Sequence, residues 1–124
     1  MALIMIVDDS PTEVHIFKTA LERHGYETVA ARDGDECISL AREVRPDLIL
    51  MDVVMPGVNG FEATRTLTRD PETKEIPVIM ISSKGQPTDR IWGLRQGAAE
   101  YLVKPVTEAD LVAKTQELLN RAQG

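Results

Sequence analysis

Five residues carry the chemistry this chain can do: Asp8, Asp9, Asp52, Ser82 and Lys104. Three carboxylates gathered within a few ångström raise one another's pKa and are unfavourable by themselves. A hard divalent cation reverses that balance. Mg²⁺ takes oxygen ligands in octahedral geometry and keeps some of its water, which suits sites that handle phosphoryl groups. A carboxylate such as Asp52 can then act as a nucleophile and form an acyl phosphate. An ammonium (Lys104) and a hydroxyl (Ser82) are the parts that neutralise and orient the three equatorial phosphoryl oxygens. Taken singly, each residue has a plainer account as a helix cap, a turn residue or a solvated side chain. The chemical reading depends on their meeting.

The elements that must bring them together follow from the apolar pattern. "LIMIV" (3–7) is a short apolar run with the look of a buried strand, and it ends at Asp8-Asp9. "SPTE" follows, with Ser10 as N-cap, Pro11 at the first helical position and Glu13 as the reciprocal cap of a capping box. That helix carries Val14, Phe17 and Leu21 on one stripe and stops at Gly25. Further strands are expected at 27–31, 47–52, 77–82 and 101–103. Further helices are expected from Asp33 and Glu36 to about Val44, from Asn59-Gly60 to about Arg69, over 88–97, and from Thr107 and Asp110 to about Arg121.

Strands alternating with helices imply an α/β, doubly wound (βα)5 parallel sheet of the flavodoxin-like kind, with helices on both faces. Right-handed crossovers place every strand's C-terminal end on one edge. In the usual order 2-1-3-4-5, strands one and three adjoin where the order reverses, the place where such sheets bind ligands. Asp8 and Asp9 end strand one, Asp52 ends strand three, Ser82 ends strand four and Lys104 follows strand five. All five converge there.

Bulk composition narrows the function. The chain has 124 residues, 43% of them hydrophobic, which suits a single domain over 1–124 with a real core and no output domain. A formal charge of −6 argues against nucleic acid or an anionic membrane as a partner. No apolar run approaches the ~20 residues needed to span a bilayer, and no signal-like segment opens the chain. A cytoplasmic protein is expected. Cys37 is the one cysteine, so no disulfide forms within the chain; it reads as a packing residue. Trp92 is expected to be mostly buried. His15 and His24 have no third ligand and read as partly exposed residues of the first helix.

The motifs "VDDS" (7–10), "LMDVVMPGVNG" (50–60), "MISSKG" (80–85) and "YLVKP" (101–105) resemble the CheY-like receiver domains of two-component response regulators, over essentially the whole chain. The finer likeness of "DDSPTE", "MDVVMPGVNGF" and "IWGLRQGAAEYLVKPV" is to single-domain regulators of the PilH type, from twitching motility and type IV pilus signalling. The resemblance implies that Asp52 is the phosphoacceptor, charged by a sensor histidine kinase or phosphotransfer domain. It implies Mg²⁺ on Asp8, Asp9, Asp52 and the Val54 backbone carbonyl, phosphoryl contacts from Lys104 and Ser82, and a cis bond before Pro105. Ser82 and Tyr101 would be the switch pair, biasing a surface made from helix four, strand five and helix five toward an unidentified protein target. Val54 and Lys84 occupy positions that tune the rate; an apolar Val54 cannot hold water, so slow or moderate self-hydrolysis is expected. Serine in place of the commoner threonine at 82 would loosen rotamer control slightly.

Other readings lead to different assays. A phosphate sink, or a receiver that scaffolds without switching, would keep the same fold. An aspartate-dependent phosphatase of the haloacid dehalogenase type would turn over small phosphate esters, but it usually carries a D-x-D nucleophile after strand one and a cap domain. A flavodoxin-like cofactor binder would need a first loop that welcomes phosphate, whereas "DDSPTE" presents carboxylates. The receiver is read as non-enzymatic toward external substrates, and as a monomer or weak dimer.

Overall fold

The computed structural model describes residues 1–123. They form β1 (Leu3–Val7), α1 (Pro11–Arg23), β2 (Glu27–Ala31), α2 (Gly34–Val44), β3 (Leu48–Asp52), α3 (Gly60–Arg69), β4 (Val78–Ser82), α4 (Pro87–Arg95), β5 (Glu100–Val103) and α5 (Glu108–Gln123). All strand pairs are parallel, in the order β2-β1-β3-β4-β5. The expected fold class is the observed one.

Alternation along each central strand sorts the core into two layers. Met5, Val7, Ile49, Met51 and Met80 face one side, with Cys37 and Ala41 of α2 and Ala63 and Leu67 of α3. Ile4, Ile6, Leu48, Leu50, Ile79 and Ile81 face the other, with Phe17 and Leu21 of α1 and Leu111 and Leu118 of α5. β1, β3 and β4 are covered on both faces, which is why they read as continuous apolar runs. Cys37 is fully buried and its thiol is pushed up to about 12, chiefly by burial. It is a packing residue of the core.

Helix ends follow local chemistry. α1 stops at Gly25, with φ of 88°, and α2 stops at Arg45, held in the left-handed region at 48° just before Pro46. Asp33, Asn59 and Thr107 accept from backbone N–H groups three residues on.

Three sequence expectations need correction. The helix expected over 88–97 runs from Pro87 to Arg95, opened at Gln86, whose N–H donates to Asp89 at 3.2 Å; a glutamine gives a weak start signal. Trp92 is not mostly buried: it is 48% exposed, beside exposed Ile91 and Leu94. Gly93 is the residue of α4 turned into the core, so its apolar neighbours face outward. The capping box at Ser10 is also incomplete. Ser10 Oγ does accept from the Glu13 N–H at 3.3 Å, but the Ser10 N–H donates to Asp8 Oδ1 at 2.9 Å and not to Glu13.

Candidate functional site

Register brings the acids together. Val7 pairs with Met51, so the residues that follow each, Asp8 and Asp52, stand side by side at the reversal point. Ser82 pairs with Val103, and Lys104 comes next, its N–H bonded to the Ser82 carbonyl at 2.9 Å. The Asp8 N–H is held by the Ala31 carbonyl at 3.1 Å. The Lys104–Pro105 bond is cis.

Asp8, Asp9 and Asp52 each place a carboxylate oxygen within 4.8 Å of the other two. Asp8 and Asp52 are buried, while Asp9 is exposed at the mouth. Burial, then the neighbouring Asp8 charge, push the Asp52 carboxyl up to about 6, against the pull of Lys104. Asp8 is raised as well, mainly by burial. Its Oδ2 has the Lys104 ammonium at 3.5 Å but makes no hydrogen bond. A buried, under-partnered carboxylate oxygen facing two more carboxylates is a donor set for a hard divalent cation.

Lys104 Nζ reaches Asp52 Oδ1 at 3.4 Å, Asp8 Oδ2 at 3.5 Å and Glu13 Oε1 at 3.4 Å. Burial alone would lower its pKa. The charges of Asp52, Asp8 and Glu13 outweigh burial and raise it. Lysine therefore stays charged beside the three carboxylates.

The hydroxyl pair lies on the β4–β5 side. Ser82 is fully buried and its Oγ accepts from the Lys84 N–H at 3.1 Å. Tyr101 is 1% exposed, turned inward, and its hydroxyl donates to the Lys84 carbonyl at 2.7 Å. Both groups thus grip the segment that leaves β4. Val54 and Lys84 line one groove beyond Asp52, together with Met55, Asn59 and Phe61. His15 on α1 is exposed, as is His24, which lies just past the helix as its C-cap and not on it; His24 Nδ1 lies 3.0 Å from the Ala20 carbonyl.

Two positioning residues were not recognised from sequence. A Cβ on Gly60 would strike the Asp52 carbonyl and approach Val53 Cα to 2.8 Å; the Gly60 N–H also holds the Val53 carbonyl at 2.9 Å. This glycine lets α3 press against the backbone that carries Asp52. A Cβ on Gly93 would meet Met80 Sδ at 2.7 Å and Tyr101 Cδ2 at 2.9 Å. It leaves the slot in which the tyrosine ring lies. In the sequence "NG" at 59–60 reads as a helix start and Gly93 as an unusual residue within a helix; neither shows what its missing Cβ makes room for.

Comparison with known proteins agrees with this geometry. The response regulator receiver domain family matches residues 4–116. Protein PilH of Pseudomonas aeruginosa is 52% identical over 119 residues, which cover 96% of this chain and 98% of that protein. Response regulator PleD of Caulobacter vibrioides is 39% identical over 94% of this chain, which spans 26% of that protein. Among solved structures, chemotaxis response regulator CheY4 of Vibrio cholerae superposes with a TM-score of 0.89 at 32% identity, covering 95% of this chain and 98% of that one. A putative response regulator from Chloroflexus aurantiacus reaches 0.93 at 31% identity, covering 97% and 98%. No helix among the described residues is long and apolar enough to cross a membrane. With its sheet order, its acid cluster and its family match in accord, the chain belongs to the response regulator receiver domains of two-component systems.

Proposed function

We propose that this receiver is a phosphorylation switch whose acceptor is Asp52. The observation that carries the reading is Asp52 itself: a buried carboxylate, flanked by two more, under the Lys104 ammonium at 3.4 Å. An Asp52 oxygen attacks the phosphorus of a phosphohistidine on a sensor kinase or phosphotransfer domain. The O–P bond forms as the P–N bond breaks, and the donor imidazole keeps the electron pair and takes a proton from solvent. Hydrolysis later returns Asp52 to the carboxylate and releases phosphate. Asp8, Asp9, Asp52 and the Val54 carbonyl are the groups to hold Mg²⁺, which when bound neutralises the phosphoryl oxygens. Lys104 supplies a second positive charge. The protein does this in the cytoplasm and turns over no external substrate.

Ser82 and Tyr101 couple the site to the surface. Both bond to Lys84, so a Ser82 hydroxyl drawn to the phosphoryl group disturbs the segment that Tyr101 holds. Glu100 ties α4 to α5 on the same face, 3.4 Å from Arg90 and 3.3 Å from Lys114. Exposed Ile91, Trp92, Leu94 and Val103 supply the apolar surface for a protein target. The likeness to PilH supports a role in type IV pilus and twitching signalling; a phosphate sink would use the same site without the surface.

Intact mass after incubation with acetyl phosphate tests the switch. One phosphoryl adduct is expected, dependent on Mg²⁺ and lost in Asp52→Asn. No adduct with acetyl phosphate, and none with a cognate kinase, overturns the reading in favour of a scaffold.

A further inference from the structure

Glu13 does not do what its place in the sequence suggests. Three residues after an N-cap serine, a glutamate ordinarily folds back onto the cap's own N–H. Here that N–H already donates to Asp8 Oδ1 at 2.9 Å. The Glu13 carboxylate is released and lies 3.4 Å from Lys104 Nζ, as near as Asp52 Oδ1. One ammonium with three donors therefore faces three carboxylates, one just past β1, one ending β3 and one in α1. Two of these belong to the acid cluster; Glu13 stands outside it. Its side chain, 34% exposed, borders the groove that opens beside Lys104 and Ser83.

We propose that Glu13 is a positioning residue that competes with the phosphoryl group for Lys104, and so sets the balance between cation affinity and phosphodonor affinity. The proposal rests on Asp52 being the acceptor. A divalent cation in the cluster and a phosphoryl group on Asp52 both draw the oxygens of Asp8 and Asp52 to themselves. Glu13 is then the carboxylate still free to hold Lys104. The ion pair that Lys104 keeps with Glu13 is attraction withheld from the phosphoryl oxygens. The charge of Glu13 also acts with opposite sign on the two ligands: it attracts the cation and repels a dianionic donor. A first-turn acid that only favours the helix dipole would alter the melting temperature and leave both affinities alone.

Glu13→Gln separates these roles. Mg²⁺ affinity is measured by calorimetry without donor, and half-saturation by acetyl phosphate is measured from intact mass at fixed Mg²⁺. For a partly exposed charge the expected changes are about two- to fivefold each: weaker for Mg²⁺, tighter for acetyl phosphate. Glu13→Asp, which keeps the charge but withdraws it from Lys104, should retain most of the Mg²⁺ affinity and still tighten acetyl phosphate. A folded Glu13→Gln with both constants unchanged, or with both moved in the same direction, overturns the proposal. A wild type that takes no phosphoryl group while binding Mg²⁺ overturns the acceptor reading first, and this one with it.

Discussion

Replacing Asp52 by asparagine should make the metal-free domain more stable at neutral pH. Asparagine has nearly the shape of the protonated acid and, like it, carries no charge. In the folded protein the Asp52 carboxyl titrates near 6, raised from the ordinary 3.8. Between those values the folded state binds the proton and the unfolded chain releases it. Stability of the wild type therefore falls as pH rises through that window, and the full penalty is present above about pH 6. The step from 3.8 to about 6 corresponds to about 3 kcal/mol, the most that Asp52→Asn can recover. For a domain of this size each kcal/mol moves Tm by roughly 4 °C, so the variant should melt higher at pH 7.5, by up to about 10 °C. The assay is thermal unfolding by circular dichroism in EDTA, wild type against Asp52→Asn, from pH 4 to 7.5. The gap should open with rising pH and close near pH 4. Equal melting at pH 7.5, or a gap independent of pH, refutes the claim that Asp52 is held charged against burial and Asp8.

Further substitutions test the parts around it. Gly60→Ala drives a methyl into the Asp52–Val53 backbone; it should cost about 1–3 kcal/mol in urea unfolding and slow acetyl phosphate labelling. Gly93→Ala should displace the Tyr101 ring and break its bond to the Lys84 carbonyl, seen as loss of tyrosine burial by solvent-perturbation spectroscopy, with labelling of Asp52 retained. Lys104→Met removes the cation from beside Asp52 and Asp8, so phosphoryl uptake should fall at least about tenfold, and the pH-dependent instability should deepen. Trp92→Ala should change stability by less than about 1 kcal/mol in urea, because the ring is half in solvent.

The sheet was legible because its central strands are buried on both faces and flanked by turn residues, so apolar runs such as "LIMIV" and "DLILMD" stand out from the helical stripes. The acids were legible because a strand end is a fixed address: once the order of strands is assumed, Asp8 and Asp52 must be neighbours. What sequence hid was tertiary. For Glu13 at the third helical position the pattern of residues displays a local partner, its own cap; the structure gives that cap N–H to Asp8 and leaves the carboxylate to Lys104. Gly60 and Gly93 matter for what a Cβ would hit, which depends on backbone brought close from other elements. Trp92 reads as core by type, yet α4 meets the sheet through a glycine, and the large side chains beside it are left facing outward.

The proposed switch carries its phosphoryl group on the Asp52 carboxylate. The most direct measurement is site mapping: label with acetyl phosphate and Mg²⁺, reduce with borohydride, digest, and sequence the peptides by mass spectrometry. An acyl phosphate at Asp52 is converted to homoserine at that position, and Asp8 and Asp9 remain aspartate. A reduced residue at another acid, or no homoserine in a sample whose intact mass shows the adduct, rules out Asp52 as the acceptor.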